Sequence, residues 1–248
     1  MQLSCTKIKT CFSKKFKFKK FMEDSFQIYF QNKRRTMLEY ILELIYPTTC
    51  GFCGKICKDA ICKKCELELK QYEINLIRKN KKYYKESMHL YKYEGTIRKK
   101  IIDYKFNNKA YLYKTFAKII LKNKKVCGFL KNYDIIIPVP IHKKRKLKRG
   151  YNQTELIAKE IAKYTHLKME NKVLLKNKNI VTQSLLNKKK REQNVKNAFY
   201  IKNVERILNK KILIFDDIFT TGSTVLECAK IFKKIRTKEI GVLTIAKD

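Results

Sequence analysis

Ile212-Leu-Ile-Phe-Asp-Asp-Ile-Phe-Thr-Thr-Gly-Ser-Thr224 reads as a buried strand that ends in two carboxylates and then enters a turn of hydroxyls. Four consecutive apolar residues, Ile212 to Phe215, lack the alternation of a half-exposed strand and suit a parallel sheet covered on both faces. Asp216 and Asp217 then fall at the strand's carboxyl end, the edge where open α/β sheets take ligands. Thr220, Thr221, Gly222, Ser223 and Thr224 follow, and Val225, Leu226, Ala229, Ile231 and Phe232 supply the apolar stripe of a helix. Gly222 permits the tight bend, while free N–H groups at the helix start and the hydroxyls offer donors to a dianionic phosphate. A plainer reading has the two acids solvating a loop and Thr221 or Ser223 acting as an N-cap. A cap needs one hydroxyl and no paired acids, so the ligand reading is preferred. No Gly-Lys-Ser/Thr follows the turn, which excludes a Walker A loop.

Upstream, Asp134-Ile-Ile-Ile-Pro-Val-Pro140 is a second short buried strand, stopped by two prolines that cannot donate a ladder hydrogen bond. A basic loop follows it: Lys143, Lys144, Arg145, Lys146, Lys148 and Arg149. Such a run is ordinarily a solvated face. Leaving the carboxyl edge of a strand beside Asp216 and Asp217, it can also place cations where a pyrophosphate sits. Asn152-x-x-Glu155 resembles a capping box opening a helix with Leu156, Ile157, Ile161 and Ala162 inward. Tyr91 and Tyr93 suggest a strand; Ile97, Ile101 and Ile102 a helix; Leu112, Phe116, Ile119 and Ile120 another. Further strands are expected at 172–175, 198–201 and 239–246. Alternating strands and helices imply an α/β fold with a parallel sheet.

A metal signal precedes this domain. Cys50-x2-Cys53 and Cys62-x2-Cys65 each direct two thiolates at one ion, and four sulfurs at tetrahedral angles suit a closed, structural zinc site. Gly51 and Gly54 loosen the first knuckle; Cys57 is a poorer-spaced substitute ligand, and a metal-free thiol cluster is the alternative. Residues 66–85 are charged and read as a helical connector. Residues 1–36 are basic, aromatic and aperiodic, an extension without a packed core, after which Met37 opens a helical pattern and is a candidate start of translation. The expected division is 1–36, a helix with the cysteine module over 37–85, and the larger domain over 86–248.

The 248 residues suffice for one good core and a small appended module. Net charge is +37, yet only nine of 59 basic residues are Arg. A Lys excess spread over every segment fits compositional background as well as a polyanion-binding surface. No run of about 18 apolar residues crosses a membrane and no secretion signal is evident, so a cytoplasmic location with reduced thiols is expected.

The Asp216–Thr224 segment closely resembles the phosphoribosyl-pyrophosphate (PRPP) signature of type I phosphoribosyltransferases. The resemblance implies that Asp216 and Asp217 hold the ribose hydroxyls, that Thr220, Thr221, Gly222, Ser223 and Thr224 wrap the 5′-phosphate, and that Lys143, Arg145, Lys148 and Arg149 face the pyrophosphate. It also implies a mobile loop over Thr182–Tyr200, with Gln183, Lys190, Arg191 and Asn194 as candidate contacts, and Mg²⁺ accompanying PRPP. Leu44-Ile-Tyr-Pro47, Tyr93-Glu-Gly95, Lys105-Phe106, Pro138-Val-Pro140, Arg149-Gly-Tyr-Asn-Gln153, Arg191-x2-Asn194, Phe199 and the signature together resemble the ComF family. That resemblance implies a phosphoribosyltransferase-like domain behind a four-cysteine zinc module and a role in DNA uptake during competence. Transfer to an unidentified acceptor is the expected activity. The alternative is a non-catalytic accessory that binds single-stranded DNA or a competence helicase. Phe219, where a smaller aliphatic is common, and Ile218, where Val is usual, are departures that remove no polar ligand.

Overall fold

The computed structural model describes residues 44–79, 82–177 and 197–248. In chain order the elements are α1 (Lys63–Leu69), β1 (Glu73–Lys79), β2 (Glu86–Lys92), α2 (Gly95–Phe106), α3 (Leu112–Lys122), α4 (Lys124–Leu130), β3 (Ile135–Pro138), α5 (Lys143–Arg149), α6 (Gln153–Lys163), β4 (Lys168–Met169), β5 (Leu174–Lys176), β6 (Phe199–Ile201), β7 (Lys211–Phe219), α7 (Ser223–Lys233) and β8 (Glu239–Lys247). The described residues from 48 onward fall in one compact unit that includes all four cysteines of the metal signal. Among the described residues, no helix is long and apolar enough to cross a membrane.

Six strands make one sheet in the order β1-β2-β8-β7-β3-β4, parallel throughout except between β1 and β2. β5 and β6 pair antiparallel as a separate ribbon. Parallel neighbours need long crossovers, and the helices supply them on both faces. The period-two alternation of β7 feeds both layers. Leu213 and Phe215 join the core formed with α2, α3, α4 and α6, whereas Ile212 and Ile214 join the core formed with α7, β5 and β6. Phe215 and Phe232, both fully buried, each stabilise the fold by about 2–3 kcal/mol. The apolar spacing on α3 is borne out, with Leu112, Phe116, Ile119 and Ile120 all buried. The chain is thus a mixed α/β protein with a mostly parallel sheet and a four-cysteine cluster ahead of it.

Three local expectations are corrected. The charged connector is helical only through α1 and a 3₁₀ turn at Lys70–Tyr72; it then becomes β1, whose charges blunt an exposed sheet edge. The basic segment 143–149 is a helix, capped by the His142 ring accepting from Lys144 N at 3.2 Å and ended by left-handed Gly150. Asn152 precedes α6 without capping it: its side-chain amide donates to Val139 O at 3.3 Å, while Glu155 turns to Lys146 at 3.2 Å. A tertiary acceptor has outcompeted the local one.

Candidate functional site

β7 pairs in parallel with β3 up to Pro138 opposite Phe215, and Val139 N–H donates to Phe215 O at 2.9 Å. Both chains therefore reach the carboxyl edge together, β7 with its acids and β3 with the approach to α5. Pairing of β7 with β8 continues to Phe219, beyond the apolar run, so Asp216 and Asp217 lie inside the strand. Their side chains consequently alternate.

Asp217 points to the face carrying α2 and α6. Its Oδ1 receives Lys105 Nζ at 2.9 Å and its Oδ2 receives Gln153 Nε2 at 3.1 Å, with the carboxylate almost fully buried. Asp216 points to the opposite face, toward Lys176 and Cys228; its Oδ1 accepts the backbone N–H of Asp217 at 2.9 Å. Burial first and the adjacent Asp217 charge second push the Asp216 carboxyl up to about 7, with Lys105 and Lys176 partly opposing them.

Downstream, Gly222 occupies the left-handed region (φ 74°) as N-cap of α7. The first α-helical bond runs from Leu226 N to Gly222 O, so the preceding amides of the helix have no intrahelical acceptor. Thr221 Oγ1 lies 2.9 Å from Ser223 Oγ and 3.4 Å from Ser223 N, holding the turn in shape. Thr220 is exposed, while Thr221, Ser223 and Thr224 are half-buried. A concave set of donors aimed outward from a helix start takes a phosphate without side-chain charge.

Of the four cations expected at this crevice, α5 turns two inward. Arg145 and Arg149, one turn apart, are half-buried, whereas Lys143 and Lys148 are exposed. Arg149 donates to Gln153 Oε1 and lies over the Phe106 ring, its Cζ 5.4 Å from the centroid. Burial depresses the guanidinium of each Arg from its usual range. Gln183, Lys190, Arg191 and Asn194 lie outside the described residues.

The cysteine cluster is built as the spacing required. The Sγ atoms of Cys50, Cys53, Cys62 and Cys65 all lie within 4.8 Å of one another, and those of Cys53 and Cys62 are 3.7 Å apart. A tetrahedron with metal–sulfur bonds of about 2.3 Å has edges of about 3.8 Å, so the donor set fits zinc. Burial pushes the Cys50 thiol up, but N–H groups of Cys62, Cys53 and Phe52 outweigh it and bring it down to about 6, whereas burial and the neighbouring thiols push the Cys65 thiol up. Cys57 points elsewhere, donating to Asp59 O at 2.9 Å. The segment is clamped to α3: Thr115 Oγ1 donates to Ala60 O at 2.9 Å, Lys118 pairs with Asp59 at 2.8 Å, and Phe52 meets Phe116 edge-on at 5.7 Å.

Lys105, Gln153, Lys176 and His89 were given no site role by the sequence. His89 is fully buried, and its ring centroid lies 4.6 Å from that of Phe219, which in turn packs beneath Gly222. Only Lys105 and Gln153 carried any signal, as residues of the segments that resemble the ComF family.

No family model matches the chain. Competence protein F of Haemophilus influenzae is 32% identical over 148 residues, covering 58% of this chain and 65% of that protein. Competence protein ComFC of Bacillus subtilis is 24% identical over 216 residues, 84% of this chain and 81% of that one. The chain is thus similar to two competence proteins, over the larger part of its length in the second. A further relative is DNA utilization protein YhgH of Escherichia coli strain K12, 32% identical over 98 residues, 40% of the chain and 42% of the relative. The chain thus matches less than two thirds of the length of Competence protein F and of YhgH. Among solved structures, it is similar to a Bacillus subtilis glutamine PRPP amidotransferase (TM-score 0.36, 18% identity, 53% of this chain, 25% of the other). It is also similar to a Staphylococcus aureus hypoxanthine phosphoribosyltransferase (TM-score 0.34, 17% identity, 55% and 65%).

Proposed function

We propose that this protein is a member of the ComF family, that it binds PRPP with Mg²⁺ at the carboxyl edge of β3 and β7, and that it transfers the phosphoribosyl group to an acceptor nitrogen, in the service of DNA uptake. One observation carries the reading: a strand bearing paired acids runs directly into a Gly222-capped helix start, with Arg145 and Arg149 turned inward on the helix that follows the neighbouring strand. The turn from Thr220 to Thr224 receives the 5′-phosphate, the acidic doublet orients the ribose hydroxyls, and the α5 cations meet the pyrophosphate. Gln183, Lys190, Arg191 and Asn194 are proposed as further contacts to the ligand. In the reaction the bond from C1 to the pyrophosphate oxygen breaks, pyrophosphate leaves with the electron pair, and a bond from C1 to nitrogen forms as the acceptor gives up its proton. Mg²⁺ bound with PRPP would supply charge neutralisation on the leaving group. Zinc on Cys50, Cys53, Cys62 and Cys65 fixes the fold of the cysteine module, and the protein works in the cytoplasm. Titration calorimetry with PRPP and Mg²⁺ shows saturable heat on this reading; silence at millimolar ligand removes it. Pyrophosphate release with a panel of purines and pyrimidines then tests turnover.

A second reading has its own observation. Phe106 is 63% exposed beneath the Arg149 guanidinium, beside a helix whose lysines all face solvent. An aromatic platform among cations suits single-stranded DNA, with a competence helicase as the alternative partner. On that reading DNA affinity falls steeply with salt and survives Asp216→Asn with Asp217→Asn, substitutions that abolish transfer.

A further inference from the structure

Asp217 is committed within the protein itself. Lys105 Nζ lies 2.9 Å from Oδ1 with both side chains largely buried, 17% and 5% exposed. Gln153 Nε2 lies 3.1 Å from Oδ2. The orientation of that amide is settled by its other end: Oε1 faces Arg149, and a guanidinium can only donate, so Nε2 must face the carboxylate. Gln153 is fixed in turn by Tyr104, whose hydroxyl donates to Gln153 O at 2.9 Å and whose ring stacks on Tyr151 at 5.4 Å. Asp217 is therefore the knot joining α2, β7 and the start of α6. Asp216, one residue earlier, stands on the other face with no ion pair among the described residues; its Oδ1 accepts the backbone N–H of Asp217, which leaves Oδ2 to meet a ligand.

We infer that Lys105 is a positioning residue that divides the labour of the acidic doublet, fixing Asp217 as an internal anchor and leaving Asp216 to meet the ribose hydroxyls. The inference rests on the PRPP reading of this edge and deepens it. The two side chains leave β7 on opposite faces, and both oxygens of Asp217 are already engaged by Lys105 and Gln153. An anchored Asp217 serves the site indirectly: through Gln153 it holds Arg149, so the end of α5 and the position of Asp216 are set by one buried cluster. Removing one partner leaves the other charge buried and uncompensated, whereas removing both charges does not.

The test is a set of substitutions in the full-length protein, read by calorimetry with PRPP and Mg²⁺. Asp216→Asn loses binding. Lys105→Met and Asp217→Asn each weaken it about tenfold or more, and Lys105→Arg returns to within about threefold of wild type, since 1.4 kcal/mol separates each decade. The deciding variant is Lys105→Met with Asp217→Asn together, which binds more tightly than either single substitution. A double variant no tighter than Asp217→Asn alone shows Asp217 touching the ligand itself and overturns the inference. If the wild type fails to bind PRPP, the proposed ligand falls, and the anchor is judged without it. Urea unfolding of the same ligand-free variants then gives a coupling of at least tenfold in the folding equilibrium between positions 105 and 217, and additivity overturns it.

Discussion

His89 Nδ1 lies 2.7 Å from Thr244 Oγ1 across the β2–β8 pair, and Thr244 spends its single hydroxyl proton on Ala246 O at 3.2 Å. Thr244 can then only accept, so Nδ1 carries the imidazole proton and Nε2 accepts from Ser87 Oγ at 3.1 Å. The neutral ring is fully satisfied and a second proton has nowhere to go. Burial first, then the charges of Lys247 and Arg78, hold His89 down to about 4 from an ordinary 6.5. Below 6.5 the unfolded chain takes this proton and the folded one does not, so stability falls as pH drops from about 6.5 to about 4 and is intact above that window. The drop is about 3 kcal/mol. Urea midpoints across this range show it in the wild type, and His89→Gln removes this component of the slope.

Asp216 gives the opposite sign. Its folded value is raised to about 7 from 3.8, so the folded state holds the proton longer and stability is lost as pH rises from about 4 to about 7. Between about pH 4 and pH 6.5 the two groups oppose each other. Asp216→Asn removes the ionising partner, raises the melting temperature at pH 8 by about 2–4 °C for each kcal/mol recovered, and abolishes ligand binding. A variant no more stable than wild type at pH 8 shows that the charge is solvated.

Gly222 is the least replaceable residue of the turn. A Cβ there stands 2.4 Å from Phe219 Cζ, on a backbone at φ +74°. Gly222→Ala therefore either pushes the Phe219 ring off His89 or distorts the helix start. It costs about 1–2 kcal/mol from the left-handed backbone alone. Phe219→Val in the same chain relieves the clash but not the backbone strain, so a partial recovery in urea unfolding is expected. Full recovery of stability or none would each contradict the geometry.

The apolar run, the doublet and the turn were legible because they are consecutive: a run too continuous for a half-exposed strand, two acids whose side chains alternate with a two-residue period, and one glycine at the bend. Which acid faces the ligand also follows from that period, but only once the strand is known to run past Phe215 to Phe219, and β8 pairing decides that. Lys105 and Gln153 reach Asp217 across 112 and 64 residues, and no local pattern announces contacts of that span. Helix α5 was hidden for another reason: six basic residues around Leu147 leave no apolar stripe, so neither helical period nor burial marks it. Its only clues were His142 before it and Gly150 after it. Charged β1 likewise lacked alternation because an edge strand buries little. The cysteines needed no tertiary information, since two knuckles of fixed spacing converge on one point by local geometry.

If the cluster holds zinc as proposed, the effect of the metal reaches beyond the knuckles. Cys50, Cys65, Phe52, Ile61 and Leu69 share one continuous core with Phe116 of α3 and Leu213 of β7. Four thiolates brought within 4.8 Å without an ion repel one another, so removing zinc loosens the adjoining core as well as the loop. Native mass spectrometry is expected to show one zinc per chain, lost in Cys62→Ser and kept in Cys57→Ser, whose thiol turns to Asp59 O. Chelation lowers the melting temperature and opens the amides of α3 to hydrogen exchange. Because the ligands must be deprotonated, the metal is released more readily as pH falls. Unchanged exchange in α3 after zinc removal would separate the module energetically from the sheet it packs on.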